Sequence, residues 1–232
     1  MRKTLIPLLL LMPILFFLSA CFAGQTQGIT EAYQDSTMSS VIAGIVSQIR
    51  VNEGEPVKQG DIILELVHDE QSLLVENTKT DYERNLRLYE KNNSVSTEEL
   101  QKKELDYKLA QVELEKRLIR APFDGIVTKF YRHVGEYSDP QQPLLRIVNI
   151  RKCRFIGYLD REAGKLEKGA KTRINIGQSN GPEYEGEVEF ISPVVDASSG
   201  LREVKILFDN TEKPVTPGVV GFLLEKADDG TR

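Results

Sequence analysis

The sequence predicts a mostly β protein in which a pair of long helices interrupts a duplicated β motif. Three observations lead to this fold class: an internal repeat, a charged insert without Gly or Pro between its two copies, and a series of short strand-like segments after the second copy. The 232 residues suffice for one or two domains, and the hydrophobic ones are spread in short runs. Such runs favour many strands over one large helical core.

The repeat joins residues 40–67 to residues 121–148 without a gap, at a constant offset of 81. Each copy predicts short strands separated by turns, and Gly54 in the first turn is free to take a positive φ. One copy alone would leave its apolar face unburied. We therefore expect residues 40–68 and 119–150 to pair as the two halves of a split β-sandwich.

The insert, residues 69–118, predicts a helical hairpin with a coiled-coil seam. Asp69 can cap the first helix, residues 92–96 read as a turn, and Ser96 with Glu99 fits a capping box for the second helix. Apolar residues recur every seven positions in each arm, as in a coiled coil: Val75, Tyr82 and Tyr89 in the first, and Leu100, Tyr107 and Leu114 in the second.

Residues 151–225 predict a small β-barrel. The expected strands cover residues 155–160, 172–176, 184–191, 203–209 and 219–225, with a short helix over residues 161–167. Cys153, at the start of the first strand, is expected to lie in the core rather than to react.

The N-terminus has the order of a secretory signal peptide, predicted over residues 1–20. Arg2 and Lys3 precede an apolar run that is too short for a good membrane span. Residues 18–21 resemble the lipobox of bacterial lipoproteins, which implies a lipid on Cys21 and membrane attachment without a span. We expect residues 21–39 to form a flexible tether and residues 226–232 a polar tail.

Charge and motif content argue against nucleic acid binding and catalysis. Loss of Arg2 and Lys3 with the signal peptide takes the 30 basic side chains to 28, against 35 acidic ones, so the net charge becomes −7. An acidic chain suits phosphate contacts poorly. His68 and His133 lack the spacing of a metal pair, and Met38 would be the only thioether after cleavage. We expect no enzyme activity, cofactor or metal site.

Residues 120–125, Arg-Ala-Pro-Phe-Asp-Gly, carry the clearest family resemblance. Together with residues 44–62, they resemble the split lipoyl-like (barrel-sandwich hybrid) domain of periplasmic adaptors, the HlyD-like membrane fusion proteins of efflux systems. Residues 185–218 follow the order of that family's β-barrel, although residues 215–219 match its Pro-Gly motif weakly. The similarity covers about residues 40–225.

The resemblance implies a connecting role. It implies a hexamer that joins an inner-membrane transporter to an outer-membrane TolC-like channel in a Gram-negative periplasm. The resemblance favours an RND pump over an ABC pump as the transporter, and the sequence leaves both open. The lipid would then hold the protein to the inner membrane. The family's hairpin tip docks on the channel through residues that match Arg84, Leu88 and Ser96, with Ser96 one position further on than the pattern. A membrane-proximal domain found in many adaptors is expected to be absent.

Two other interpretations remain open at this point. The split sandwich also resembles covalent lipoyl or biotin carriers, but residues 68–71 hold no Lys at the turn where a carrier would be modified. The chain could also be a solitary envelope lipoprotein that binds no pump.

Overall fold

A computed structural model describes residues 26–92, 94–160, 166–178 and 181–224 of the chain. The predicted signal peptide, Cys21 and the tail lie outside the described residues. The described part is mostly β, with a β-barrel and two helices. Its elements are β1 Thr26–Ser39, β2 Gly44–Ile49, β3 Pro56–Val57, β4 Ile62–Leu66, α1 Asp69–Asn92, α2 Thr97–Glu115, β5 Leu118–Arg120, β6 Gly125–Phe130, β7 Tyr137–Ser138, β8 Pro143–Asp160, β9 Lys171–Ile176, β10 Glu183–Ile191, β11 Leu201–Asp209 and β12 Val220–Leu224.

The repeat at offset 81 is visible in the backbone hydrogen bonds of the sandwich. The Gly54 N–H donates to the carbonyl of Val127 at 2.8 Å, and the Gly135 N–H donates to the carbonyl of Val46 at 2.8 Å. The two-residue strand of each half pairs with the other half, β3 with β6 and β7 with β2. The halves therefore exchange short strands and enclose one core, whose fully buried members include Ile63, Leu64, Leu66, Leu144, Leu145 and Ile147.

Six strands close the barrel in the order β1-β12-β9-β10-β11-β8, because β1 also pairs with β8. The ring of Phe155 fills the interior beside the closing strands. A Cβ atom on Gly28 would lie 2.6 Å from this ring, and one on Gly157 would lie 2.7 Å from it. The ring can therefore pack against the backbone of β1 and β8 only because these two positions have no side chain.

The expected flexible tether over residues 21–39 is wrong for residues 26–39. They form β1, which pairs with β12 over Thr26–Ile29 and with β8 over most of its length. Thr30 is fully buried, and its hydroxyl donates to the carbonyl of Val219 at 2.9 Å. Backbone pairing on both sides thus orders a polar segment. Similarly, the expected boundary at residues 150 and 151 falls inside β8.

The predicted barrel strands correspond to β8 (its second half), β9, β10, β11 and β12. The short helix expected over residues 161–167 falls largely outside the described residues. The expectation for Cys153 is confirmed: the side chain is fully buried, and burial raises the pKa of its thiol to about 11. A thiol held in its protonated form is a poor nucleophile.

Candidate partner-binding site on the helix pair

Helices α1 and α2 leave the sandwich between β4 and β5 and run antiparallel. They contain 24 and 19 residues, which corresponds to about 36 and 28 Å at 1.5 Å per residue. Tyr82 stacks on Tyr107 with ring centroids 6.2 Å apart, and the Asp81 carboxylate lies 3.7 Å from the Lys103 ammonium. This helix pair occupies the position where a carrier domain would place its modified Lys.

The face between the helices mixes polar with apolar side chains. Less exposed residues recur there at intervals of three and four, and they include every predicted sevenfold position. Among them are Val75, Thr78, Tyr82, Asn85 and Tyr89 on α1, and Leu100, Lys103, Tyr107, Ala110 and Leu114 on α2. Asn85 is 7% exposed, and its amide donates to the Asp81 carbonyl of its own helix at 2.8 Å. A contact face this polar gives the pair limited hydrophobic stabilisation.

Arg84 and Leu88 lie one turn apart on α1, on its exposed side. The Arg84 guanidinium donates to the Asp81 carboxylate at 2.7 Å, and its side chain is 61% exposed. Leu88 is 41% exposed. Since exposed ion pairs contribute little stability, both side chains are available to a partner without loss of the fold.

Ser96 has a structural role that the sequence predicted. It is the N-cap of α2, with extended backbone at φ −72° and ψ 155°, and its hydroxyl accepts the backbone N–H of Glu99 at 3.2 Å. Asp69 is the first residue of α1 and lies in its first turn rather than before it. Of the three predicted tip residues, Arg84 and Leu88 thus share one helix, and Ser96 begins the other.

A buried carboxylate anchors the root of the helix pair to the sandwich. Glu65 of β4 is 5% exposed. It accepts hydrogen bonds from Arg50 and, at 2.9 Å, from His68, whose other ring nitrogen lies 2.9 Å from the Ser72 hydroxyl of α1. Burial alone would raise the pKa of Glu65, but the hydrogen bonds from His68 and Arg50 outweigh it and hold the pKa below its ordinary value.

The 120–125 motif is hydrogen-bonded to the second turn of the first half, residues 58–61. Arg120 donates to the carbonyl of Gly60, and the Asp124 carboxylate accepts the N–H of Gln59 at 2.8 Å. Ala121 exchanges backbone hydrogen bonds with this turn, accepting from Gly60 and donating to Asp61, each at 2.9 Å. The motif that carried the family resemblance therefore locks the second half onto the first.

Neither histidine joins a metal site in the part of the chain that the structure describes. No group of three or more potential His, Cys, Asp or Glu ligands comes together there. His68 binds Glu65 and Ser72, and the backbone N–H of His133 donates to Glu136 at 3.0 Å in a turn. Within these same residues, no helix is long and apolar enough to cross a bilayer.

Solved structures with the same architecture decide the fold family. The membrane fusion protein Spr0693 of Streptococcus pneumoniae R6 superposes with a TM-score of 0.65 at 15% identity, over 85% of this chain and 99% of that one. The chain has the membrane fusion protein fold. A MacA-MexA chimera carrying the Pseudomonas aeruginosa MexA α-hairpin domain gives 0.64 at 16% identity, over 86% and 80%. This confirms the resemblance to the membrane fusion, or periplasmic adaptor, family at the level of the fold.

Curated relatives are similar at 25–27% identity, and no family model matches the chain. An uncharacterised Haemophilus influenzae protein is 25% identical over 79% of this chain and 52% of its own length. YdhJ of Escherichia coli, also uncharacterised, is 25% identical over 80% and 76%. The E. coli multidrug resistance protein MdtN is 27% identical over 38% and 26%. The chain thus spans about half the length of the Haemophilus relative and a quarter of MdtN.

Two features of this membrane fusion protein fold were missed in the sequence. The Glu65 cluster joins Glu65 of β4 to Arg50, just after β2, and through His68 to Ser72 of α1. Only the close spacing of Glu65, His68 and Ser72 could have indicated it. Exposed apolar side chains also lie on the outer faces of both helices, outside the sevenfold pattern. A sevenfold pattern indicates only the residues that face the partner helix, so it gives no signal for these outer positions.

Proposed function

We propose that the protein is the periplasmic adaptor subunit of a tripartite efflux system. It links an inner-membrane transporter to an outer-membrane TolC-like channel, and its work is assembly and coupling without catalysis. The observation that carries the proposal is the helix pair. It projects from a split sandwich in the membrane fusion protein fold and exposes Arg84 and Leu88 on one helix face.

Each end of the molecule has a proposed partner. The helix tip, with Arg84, Leu88 and Ser96, docks on the outer-membrane channel through its two antiparallel helices, which act as a coiled-coil hairpin. The barrel contacts the transporter, an RND pump in preference to an ABC pump. Cys21 carries lipid and holds the adaptor to the inner membrane of a Gram-negative cell. Copies assemble into a ring, with six subunits as the proposed number.

Replacement of Arg84 and Leu88 by Ala tests this function. We expect the double variant to lose most of the export that the wild type restores to an adaptor-deletion strain, at least tenfold in the measured efflux rate. The fold should persist, because breaking the exposed Arg84–Asp81 pair costs at most about 0.5 kcal/mol. Circular dichroism and the amount of membrane-bound protein report folding.

The matched control is Lys79→Ala. Lys79 is also an exposed cation on α1, with 54% of its side chain exposed. Its ammonium makes a long, weak ion pair with the Glu83 carboxylate, at 3.9 Å. It lies further from the turn between the helices, so its loss should leave efflux unchanged. Wild-type efflux in the Arg84 and Leu88 double variant would refute docking through these residues.

A further inference from the structure

Three apolar side chains on the outer face of the sandwich belong to neither hydrophobic core. Ile126 of β6 lies opposite Val148 of β8, and Ile150 follows two positions along β8, so the three share one face of the sheet. Val127 and Ile147 point to the other face and are fully buried. The outer face of such a sheet is ordinarily polar. This apolar strip, which is half-buried, therefore needs an explanation other than the core.

The apolar strip is the floor of a crevice at the place where β8 passes from the sandwich into the barrel. On the side of β3 the crevice is a cavity of about 370 Å³. On the other side it continues as a groove of about 650 Å³, which Ile29 and Pro217 of the barrel also line. Val148 and Ile150 line both parts, so one elongated apolar molecule can lie across them. A mostly apolar crevice of this size with a few polar groups is typical of small-molecule sites.

The rim of the smaller cavity carries an excess of positive charge. Lys58 and Arg151 line it, and both are exposed. Within the part of the chain that the structure describes, the Lys58 ammonium has no ion-pair partner. The Arg151 guanidinium lies 3.8 Å from the Asp124 carboxylate, which also accepts the backbone N–H of Gln59 at 2.8 Å. Two cations thus face one carboxylate here, although the whole chain has a net charge of −5.

The far end of the crevice has the opposite character. Glu31 is exposed in the larger groove, and the Asp35 carboxylate beside it binds the Arg146 guanidinium through two hydrogen bonds. An acidic group is therefore repelled near Glu31 and attracted to the rim formed by Lys58 and Arg151. The charges fix one orientation for a ligand that has an acidic head and an apolar body.

We infer that this crevice binds an amphipathic anion of small-molecule size. The acidic head binds Lys58 and Arg151, and the apolar body lies on the strip that contains Val148. This binding activity goes beyond the proposed coupling role, and it uses a different part of the molecule. Arg84 and Leu88 lie on α1, whereas the crevice lies between the sandwich and the barrel.

Isothermal titration calorimetry on the full chain as cells process it, in lipid nanodiscs with empty nanodiscs as the blank, tests the site. Octanoate is the probe, because it combines a carboxylate with a short apolar chain. Octylammonium, which has the same chain and the opposite charge, should bind at least about tenfold more weakly. Acetate, which keeps the carboxylate and lacks most of the chain, should bind at least about a hundredfold more weakly.

Charge reversal at the rim tests the position of the head. Arg151→Glu and Lys58→Glu should each weaken octanoate binding by about fivefold or more, because each removes an attraction and adds a repulsion. The matched controls are Lys152→Glu and Lys129→Glu. Lys152 is the exposed neighbour of Arg151 but lines a different groove, and Lys129 is exposed on β6 outside the crevice. Both controls should bind octanoate as the wild type does.

A larger side chain on the floor tests the position of the apolar body. Val148→Phe leaves every charge in place but fills the crevice, so it should abolish octanoate binding. Circular dichroism reports whether this variant folds. The rim variants change exposed side chains and keep the test decisive if it does not.

Three results would overturn the inference: no saturable binding of octanoate, binding of octylammonium as tight as that of octanoate, or an equal loss of affinity in Arg151→Glu and Lys152→Glu. The titration contains neither channel nor transporter. Its outcome is therefore independent of whether the Arg84 and Leu88 double variant loses efflux, and the two proposals can fail separately.

Discussion

At the residue scale, the carboxylate of Glu65 connects three segments. It is nearly fully buried, yet it binds Arg50 after β2, belongs to β4 and reaches α1 through His68. A buried carboxylate is costly unless its oxygens are hydrogen-bonded. Here both oxygens have partners, so the charge ties the root of the helix pair to the sandwich instead of weakening the core.

Glu65→Gln should lower the free energy of unfolding by about 2 kcal/mol at pH 7, because Arg50 and His68 lose a charged acceptor. The pKa of Glu65 is depressed in the folded state, so its contribution is complete above the ordinary carboxyl pKa of about 4.3. It is lost as the pH falls through the lower folded pKa. Urea unfolding of both proteins between pH 7 and pH 3 should show their difference shrinking in acid.

Glu83→Gln is the control for this prediction, since Glu83 is half exposed and its carboxylate makes just one long ion pair, 3.9 Å from the Lys79 ammonium. Its effect should stay below about 0.5 kcal/mol. A Glu65→Gln protein no less stable than this control, or a difference that does not change with pH, would refute the assigned role.

Gln141 is the single non-glycine residue with a positive φ, 69°, among the described residues. Its counterpart at offset 81 is Gly60, with φ 90°. Both occupy the third position of a turn closed by a backbone hydrogen bond, Asp61 to Lys58 in one copy and Gln142 to Asp139 in the other. The repeated turn therefore requires a left-handed residue, and one copy supplies it without glycine.

Gln141→Gly should raise the unfolding free energy by about 1 kcal/mol, because it relieves the left-handed strain. Gln59→Gly, one position before Gly60 and outside the positive-φ residues, should instead lower it by about 0.5 to 1 kcal/mol through added chain entropy. Thermal unfolding of the two variants gives the comparison. Equal shifts of the same sign would contradict the turn assignment.

At the element scale, the polar contact between α1 and α2 makes local helix signals important. Asn85, Lys103 and Thr78 lie on a face that a more stable helix pair would fill with apolar side chains. The second helix therefore depends on its N-cap, Ser96. This residue is also one of the three proposed for channel docking, so its two roles have to be separated by experiment.

Ser96→Asp separates them, because Asp caps helices as well as Ser does but presents a charged carboxylate. Ser96→Ala should cost about 1 kcal/mol through loss of the cap, whereas Ser96→Asp should leave stability near the wild type. If Ser96 docks on the channel, efflux should fall in both variants. Normal efflux in a stable Ser96→Asp protein would leave Ser96 a capping role alone.

Elements with a hydrophobic period or clear turn chemistry were predictable from the sequence. The barrel strands and the helix pair belong to this group. Strand β1 was not, because its inward positions include Thr26, Gly28, Thr30 and Ser36, whereas the apolar Ile29 faces outward. It is ordered by backbone pairing with β8 and β12, for which side-chain hydropathy gives no signal.

At the scale of the whole molecule, β1 and β8 run through both the sandwich and the barrel. Each pairs with the other over both units, from Gly28 opposite Gly157 to Ser39 opposite Pro143. The boundary expected at residue 150 could not be located from the sequence, because β-type residues continue across it without a turn signal. In the proposed adaptor, continuous strands rather than a linker therefore join the barrel to the base of the helix pair.

The exchange of short strands between the two halves of the sandwich could not be predicted from the sequence either. β3 and β7 contain two residues each, too few for a periodic pattern. Likewise, Arg84 and Leu88 were proposed from family resemblance, and the structure adds that both side chains are exposed. The lipid on Cys21 stays a prediction.

The most direct test of the central claim is site-specific photo-crosslinking in living cells at Leu88, with Lys79 as the reference position. A photoreactive residue at 88 should give an adduct that contains peptides of an outer-membrane channel, and the same residue at 79 should give none. An adduct at 88 no stronger than that at 79, or one that contains no outer-membrane protein, would contradict a role for this helix pair in joining a transporter to a channel.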